Sequence, residues 1–181
     1  MNDSLEPLTP MRRVLEIFPG AQRALFRRFH IGGCASCGFQ PDETLEALCR
    51  RNDLEIPEVI RHIQTSHRQD LELQITPAEL AALLQKGPVR LVDVRSREEF
   101  EAVRIEGASL FSQPLMQEIL ARWPRAELVV VYDHQGRQSL DAAAYFLGHG
   151  FANVRCLRGG IDAWSAEADP KLPRYELEYA P

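Results

Sequence analysis

The sequence has few cysteines, few aromatic residues and no excess of positive charge. Of its 181 residues, 4 are cysteine and 8% are aromatic. Four cysteines are too few for a disulfide scaffold, so a close pair indicates redox or metal chemistry in a reducing compartment. The formal net charge of −5 argues against general binding to nucleic acid, which favours basic surfaces.

Long apolar runs are absent as well. No stretch approaches the roughly 18 apolar residues needed to span a membrane. The amino-terminal segment contains Asp3 and Glu6 and lacks the apolar core of a secretory signal. We therefore expect a cytoplasmic protein without a membrane partner.

Apolar residues make up 45% of the chain, and their spacing changes along it. Met11, Val14, Leu15 and Phe18 follow the spacing of one helix face, and helical patterns continue to about residue 68. Residues 67–70 are polar and are predicted to be a linker. The sequence thus predicts a small all-α domain over residues 1–68 and a second domain over residues 69–181.

The second domain alternates strand and helix patterns. Residues 76–79 form a capping box with proline at the first helical position. Residues 128–132 are a near-continuous apolar run, which is typical of a strand covered on both faces. The alternation predicts an α/β fold with a parallel sheet flanked by helices. In such sheets ligands bind beyond the carboxyl ends of the strands, so the loop after Tyr132 is the expected site.

Two separated motifs stand out in this domain. Residues 91–95 read LVDVR and are followed by EEF at 98–100 and IEGA at 105–108, while residues 157–164 read LRGGIDAW. Together they resemble the signature motifs of the rhodanese-like family. The resemblance covers about residues 70–175 and implies the rhodanese fold. It also implies an active loop of the form Cys-x-x-Gly-x-Arg-Ser, whose cysteine carries sulfur as a persulfide.

The aligned loop lacks that cysteine. Asp133 stands at its position and Gln138 at the arginine position, although Arg137 is adjacent. Because sulfur transfer requires a thiolate, we predict an inactive sulfurtransferase site with no catalytic residue. The degenerate active loop consists of Asp133, His134, Gln135, Gly136, Arg137, Gln138 and Ser139.

The role of Asp133 has three interpretations. The family loop gathers backbone N–H groups at a helix N-terminus, so we predict that Asp133 accepts their hydrogen bonds as a built-in anion. Asp133 can also be a simple helix N-cap. A phosphoryl-accepting nucleophile is disfavoured because the arginine it would need is Gln138. We expect His134 to face solvent, and Cys156 to be a small buried hydrophobe.

Cys34 and Cys37 form a Cys-x-x-Cys motif in a glycine-rich loop of the first domain. About residues 10–65 resemble a small helical family of redox-disulfide domains. The two thiols can cycle to a disulfide, can bind zinc or an iron–sulfur cluster, or can be inert. A metal site would need further ligands, from His30, Cys49 or a symmetric homodimer. We expect Cys49 to pack in the core and His30 to cap or pack at the end of the second helix.

The leading interpretation is a two-domain protein. A non-catalytic rhodanese-fold binding or regulatory module is joined to a thiol redox domain, and we expect a protein partner. One alternative is an enzyme that carries sulfur or electrons on Cys34 and Cys37. The other is a dimer bridged by a metal or an iron–sulfur cluster through the same two cysteines.

Overall fold

The computed structural model describes residues 5–32 and 38–175. The chain divides into two compact units, Met1–Glu72 and Leu73–Pro181. The helices of the first unit are α1 Met11–Ile17, α2 Ala21–Phe29, α3 Leu45–Arg51 and α4 Ile56–Glu72. Within the described ranges, no helix is both long and apolar enough to cross a membrane.

The first unit is a helical bundle around one apolar core. Met11, Val14, Leu25, Leu48 and Val59 are fully buried in that core. Each comes from an apolar position spaced along one helix face, as the periodicity predicts.

The predicted linker at residues 67–70 is wrong, because α4 continues through it to Glu72. His67 packs its ring against Phe18, with centroids 5.0 Å apart. Asp70 is buried and accepts a hydrogen bond from Arg23 of α2 at 2.5 Å. A polar run resembles a linker in the sequence, but here His67 and Asp70 have partners inside the same unit.

The second unit is built on a parallel sheet. Its strands are β1 Gln74–Ile75, β2 Arg90–Asp93, β3 Ala108–Leu110, β4 Val129–Tyr132 and β5 Val154–Leu157, in the spatial order β1-β5-β4-β2-β3. Its helices are α5 Pro77–Lys86, α6 Arg97–Ala102, α7 Gln113–Arg122, α8 Ser139–Gly148 and α9 Gly160–Glu167. The predicted parallel α/β fold is confirmed.

Strand β4 lies at the centre of this sheet and is buried along its whole length. Val130 and Tyr132 contribute to the core on one face, and Val129 and Val131 to the core on the other. Side chains of a strand alternate between faces, so a continuous apolar run serves two cores at once. The parallel strands bring the ends of β2, β4 and β5 to the same edge of the sheet.

The two cysteines that the structure describes are both buried. Cys49 lies in the core of the first unit, as predicted, and burial raises the pKa of its thiol. Cys156 lies on β5, where it is 1% exposed and its Sγ donates to the carbonyl oxygen of Ser139 at 3.3 Å. The prediction that Cys156 is a small buried hydrophobe is confirmed, and its thiol is also a weak hydrogen-bond donor.

We expect Cys49 and Cys156 to resist N-ethylmaleimide at neutral pH until the protein is unfolded. Burial blocks access to both thiols, and the raised pKa of Cys49 also keeps its thiolate fraction small. Peptide mass spectrometry before and after guanidinium treatment measures this. Rapid labelling of Cys156 in the folded protein would contradict the described packing.

Candidate functional site

The loop between β4 and α8 is organised around the carboxylate of Asp133, which is 4% exposed. One oxygen accepts the backbone N–H of Gly136 at 2.5 Å and the Ser139 hydroxyl at 3.2 Å. The other accepts the backbone N–H groups of Arg137 at 3.0 Å and Gln138 at 2.7 Å. The prediction that Asp133 accepts the loop N–H bonds is confirmed.

Asp133 is not the N-cap of α8, so that interpretation is wrong. The N-cap is Gln138, whose side chain makes no capping bond. Asp133 lies upstream, directly after β4. Its carboxylate accepts hydrogen bonds from N–H groups of the loop and of the residue that precedes α8. An anion at this position is favoured by convergent N–H dipoles and by the positive end of the helix.

Glycines let this loop pack closely against the turn that precedes α9. Gly136 has φ +77°, and a Cβ there would lie 2.8 Å from the backbone nitrogen of Gly159. Gly160 has φ +61°, and its Cβ would overlap the backbone of Asp133 and His134. The N–H of Ile161 donates to the carbonyl oxygen of Asp133 at 2.9 Å, so the loop and α9 satisfy each other's polar groups.

His134 is buried, so the prediction of a solvent-facing histidine is wrong. It is 8% exposed, and its ring lies 4.6 Å from that of Tyr175, centroid to centroid. Among the described residues, no hydrogen-bond partner reaches its Nδ1 atom. Tyr175 is far away in sequence, and no periodic pattern signals that it covers this loop.

A second polar network lies beside the loop, at the end of β2. The guanidinium of Arg95 donates to both carboxylate oxygens of Asp93, at 2.6–3.2 Å, and to the Val103 carbonyl oxygen at 2.7 Å. Its Nη1 donates to the Tyr175 hydroxyl at 2.5 Å. That hydroxyl in turn donates to Glu99 at 2.7 Å. The charge of Arg95 is therefore compensated, as a buried cation requires.

The phenols around this network remain protonated at neutral pH. Burial and the hydrogen bond to Glu99 raise the pKa of Tyr175 to about 12. Burial and the nearby charge of Asp93 raise the pKa of Tyr132 well above its ordinary value. Both hydroxyls are thus hydrogen-bonding groups rather than bases.

The loop and the Arg95 network border one small cavity of about 170 Å³. Its lining residues are Arg95, Glu99, Asp133, His134, Gln135, Arg137 and Gln138. Arg137 is exposed at its mouth and makes no ion pair with any residue in the described part of the chain. The arrangement offers a guanidinium, amides and an imidazole to a polar group, but no thiol.

Larger cavities lie away from this loop. One of about 440 Å³ is at the amino ends of β2 and β3, where Arg90 is already bound to Glu127 and packs over Trp123. Ligands of open parallel sheets bind at the carboxyl ends instead. We therefore take the smaller cavity beside Asp133 as the candidate site.

The thiol pair Cys34 and Cys37 lies outside the described residues. His30, expected near the helix end, is the left-handed C-cap of α2 with φ 57°. Cys49 is fully buried in the core. Over residues 5–32 and 38–175, no group of three or more histidine, cysteine or acidic side chains is arranged to hold a metal ion.

Comparison with known proteins identifies the second unit. The family model described as rhodanese-like domain matches residues 76–167. The probable adenylyltransferase/sulfurtransferase MoeZ of Mycobacterium tuberculosis is 36% identical over 104 residues, which are 56% of this chain and 26% of MoeZ. The thiosulfate sulfurtransferase GlpE of Pseudomonas savastanoi is 32% identical over 93 residues, 51% of this chain and 87% of GlpE. The chain thus spans about a quarter of the length of MoeZ.

Solved structures are also similar. A rhodanese-like domain protein from Staphylococcus aureus is 28% identical with a TM-score of 0.46, over 57% of this chain and 98% of that one. The reduced CoADR-RHD of Bacillus anthracis is 17% identical with a TM-score of 0.50, over 65% of this chain and 20% of that one. The second likeness shows the fold alone.

Replacing Asp133 by alanine should lower the free energy of unfolding of the second unit by about 2 kcal/mol, because three N–H groups and a hydroxyl lose a charged acceptor. The unfolding free energy of Asp133→Asn should lie between those of the wild type and Asp133→Ala, because asparagine keeps one acceptor oxygen. Both tryptophans, Trp123 and Trp164, lie in this unit, so their fluorescence during urea unfolding measures the change.

Glu106→Ala is the matched control, because it removes an exposed carboxylate from the same unit. It should leave the unfolding free energy unchanged. Equal stability of Asp133→Ala and Glu106→Ala would show that the carboxylate does not organise the loop.

Proposed function

Because the chain belongs to the rhodanese-like domain family through residues 76–167, we propose that its second unit keeps the family's binding loop without using it to carry sulfur. The observation that supports this most is the Asp133 carboxylate, which accepts hydrogen bonds from three backbone N–H groups and one hydroxyl. The unit then acts as a binding or regulatory module.

The first argument for this proposal is the chemistry of the Asp133 side chain. In sulfur transfer, a thiolate attacks sulfane sulfur, the S–S bond of the donor breaks, and the enzyme holds the sulfur as a persulfide. When thiosulfate is the donor, sulfite is the leaving group of that same displacement. A carboxylate ends in two oxygens and cannot form a persulfide. If Asp133 holds the position of the family's cysteine, the loop has no group that can accept the sulfur.

Electrostatics supports the second step. An oxyanion donor would need the N–H groups that Asp133 already occupies. A second anion at 4 Å from the carboxylate would be repelled by about 4 kcal/mol at an effective dielectric constant of 20. The folded loop therefore disfavours thiosulfate even as a bound ligand.

The open side of the cavity suggests what the module binds instead. Arg137, Gln135 and Gln138 are exposed at its mouth. Exposed guanidinium and amide groups on a structured loop suit a polar surface of a protein partner. We therefore propose a protein partner that contacts this face.

The thiols of the first unit are a second candidate for function. Since both described cysteines are buried, Cys34 and Cys37 are the remaining thiols for redox or sulfur chemistry. We propose that this pair cycles to a disulfide or carries sulfur. A zinc ion or iron–sulfur cluster bridging two copies is the alternative, and metal analysis of anaerobically purified protein distinguishes the two.

The protein should show no thiosulfate:cyanide sulfurtransfer through the loop. We expect thiocyanate production by a Cys34→Ser/Cys37→Ser variant to equal the uncatalysed background, because no accessible thiol remains in it. Colorimetric thiocyanate detection measures this, with an active rhodanese as positive control. Turnover by this variant comparable to that of the active rhodanese would refute the proposal.

Adding Asp133→Cys to the same double variant provides the matched comparison. A persulfide adduct of about 32 Da on the introduced thiol, seen by mass spectrometry, would place it at the family's sulfur-carrying position. The absence of an adduct on that thiol would mean that position 133 does not correspond to the catalytic cysteine. If wild-type protein turns over and the double variant does not, the thiol pair is the carrier.

A further inference from the structure

The segment of residues 172–175, here called the strap, returns from the end of α9 to the candidate site. The carbonyl oxygen of Leu172 accepts the hydroxyl of Ser165. Arg174 donates to both carboxylate oxygens of Asp162, at 2.7 and 2.9 Å. These contacts direct the strap toward the loop after β4.

Tyr175 is the strap residue that reaches the cavity. Its hydroxyl accepts from Nη1 of Arg95 and donates to Glu99, two of the residues that line the cavity. Its ring packs on His134, a third lining residue. One side chain therefore engages three of the groups that the cavity would offer to a ligand.

The strap covers a histidine, His134, that has a buried ring nitrogen without a hydrogen-bond partner among the described residues. His134 is more than nine-tenths buried, yet no described residue satisfies its Nδ1. Buried polar atoms are normally hydrogen-bonded, so Nδ1 at this cavity calls for a partner from a water molecule, a ligand or a second conformation. The Tyr175 ring covers the His134 ring, but no described residue, Tyr175 included, makes a hydrogen bond to Nδ1.

Besides the hydrogen bonds of Tyr175, the strap makes an exposed ion pair and few buried apolar contacts with the described residues. The Arg174 side chain is 59% exposed and that of Asp162 is 29% exposed, and ion pairs at such exposure add little stability. Leu172 and Tyr175 are only partly buried against the core. Segments with few buried apolar contacts are those that open locally while the rest of a domain stays folded.

We propose that the strap is an autoinhibitory gate over the candidate site. In the closed state the Tyr175 hydroxyl is hydrogen-bonded to Arg95 and Glu99, and its ring covers His134. When it leaves, the rim presents an N–H donor, a carboxylate and an imidazole nitrogen. These fit a hydroxyl or amide group of a protein partner, which both donates and accepts. The gate rests on the protein partner proposed above for this site, but not on whether the loop carries sulfur.

Carbethoxylation of histidines by diethyl pyrocarbonate tests the gate in the full chain. Mass spectrometry follows the rate at His134, with exposed His149 as internal reference. Wild-type His134 should react more slowly than His149. Tyr175→Phe removes both hydroxyl bonds but keeps the ring, and should raise the His134 rate roughly tenfold, since losing a bond to a charged group shifts an opening equilibrium by about that factor.

Arg174→Gln weakens the strap without touching the cavity, so it should raise the His134 rate in the same direction. Arg122→Gln is the matched control, because Arg122 is exposed and lies on α7, which packs against the other core of this unit from the strap residues. It should leave the His134 rate unchanged. A wild-type His134 that reacts as fast as His149 would overturn the gate. So would an unchanged rate in both Tyr175→Phe and Arg174→Gln.

Discussion

The second unit depends on one electrostatic requirement at the entrance of α8. Backbone N–H groups of Gly136, Arg137 and Gln138 converge there and need an acceptor, because unsatisfied buried donors are costly. Asp133 supplies the acceptor from within the chain. The loop is therefore complete without a ligand, and its charge is fixed by a side chain rather than by a bound anion.

The neighbouring structure is fitted to this folded loop. The carbonyl oxygens of Asp133 and His134 accept the first N–H groups of α9, and Gly160 allows the close approach that this needs. On the other side, Arg95 is held by Asp93 and shares the rim of the cavity with the loop. A change that frees the N–H groups would thus disturb two helices and a strand end, which links the binding properties of the loop to the stability of the fold.

Much of this architecture could be predicted from local sequence patterns. The apolar run at β4, the capping box of α5 and the acceptor role of Asp133 all rest on residues close together in the chain. The continuation of α4, the burial of His134 and the contacts of Tyr175 could not be predicted. Each of these depends on a partner distant in sequence, and such pairings have no periodic signature.

The boundary between the units shows the same limit. A polar stretch need not end a helix, and Asp70 has a partner in Arg23, far back on α2. Similarly, the local pattern indicated an exposed histidine after Asp133 because the residue that covers it is near the end of the described chain. Local patterns identify most of the elements, whereas the continuation of α4 and the burial of His134 depend on contacts between residues distant in sequence.

The claim that Asp133 occupies the N–H groups of the loop is tested most directly by titrating the isotopically labelled protein with thiosulfate. The titration follows the amide resonances of Gly136, Arg137 and Gln138. A sodium chloride titration at matched ionic strength corrects for the effect of added salt. The account predicts that these resonances move no more with thiosulfate than with added salt, because Asp133 already accepts their hydrogen bonds. Saturable shifts confined to these amides would show that the loop still binds the anion, and would contradict it.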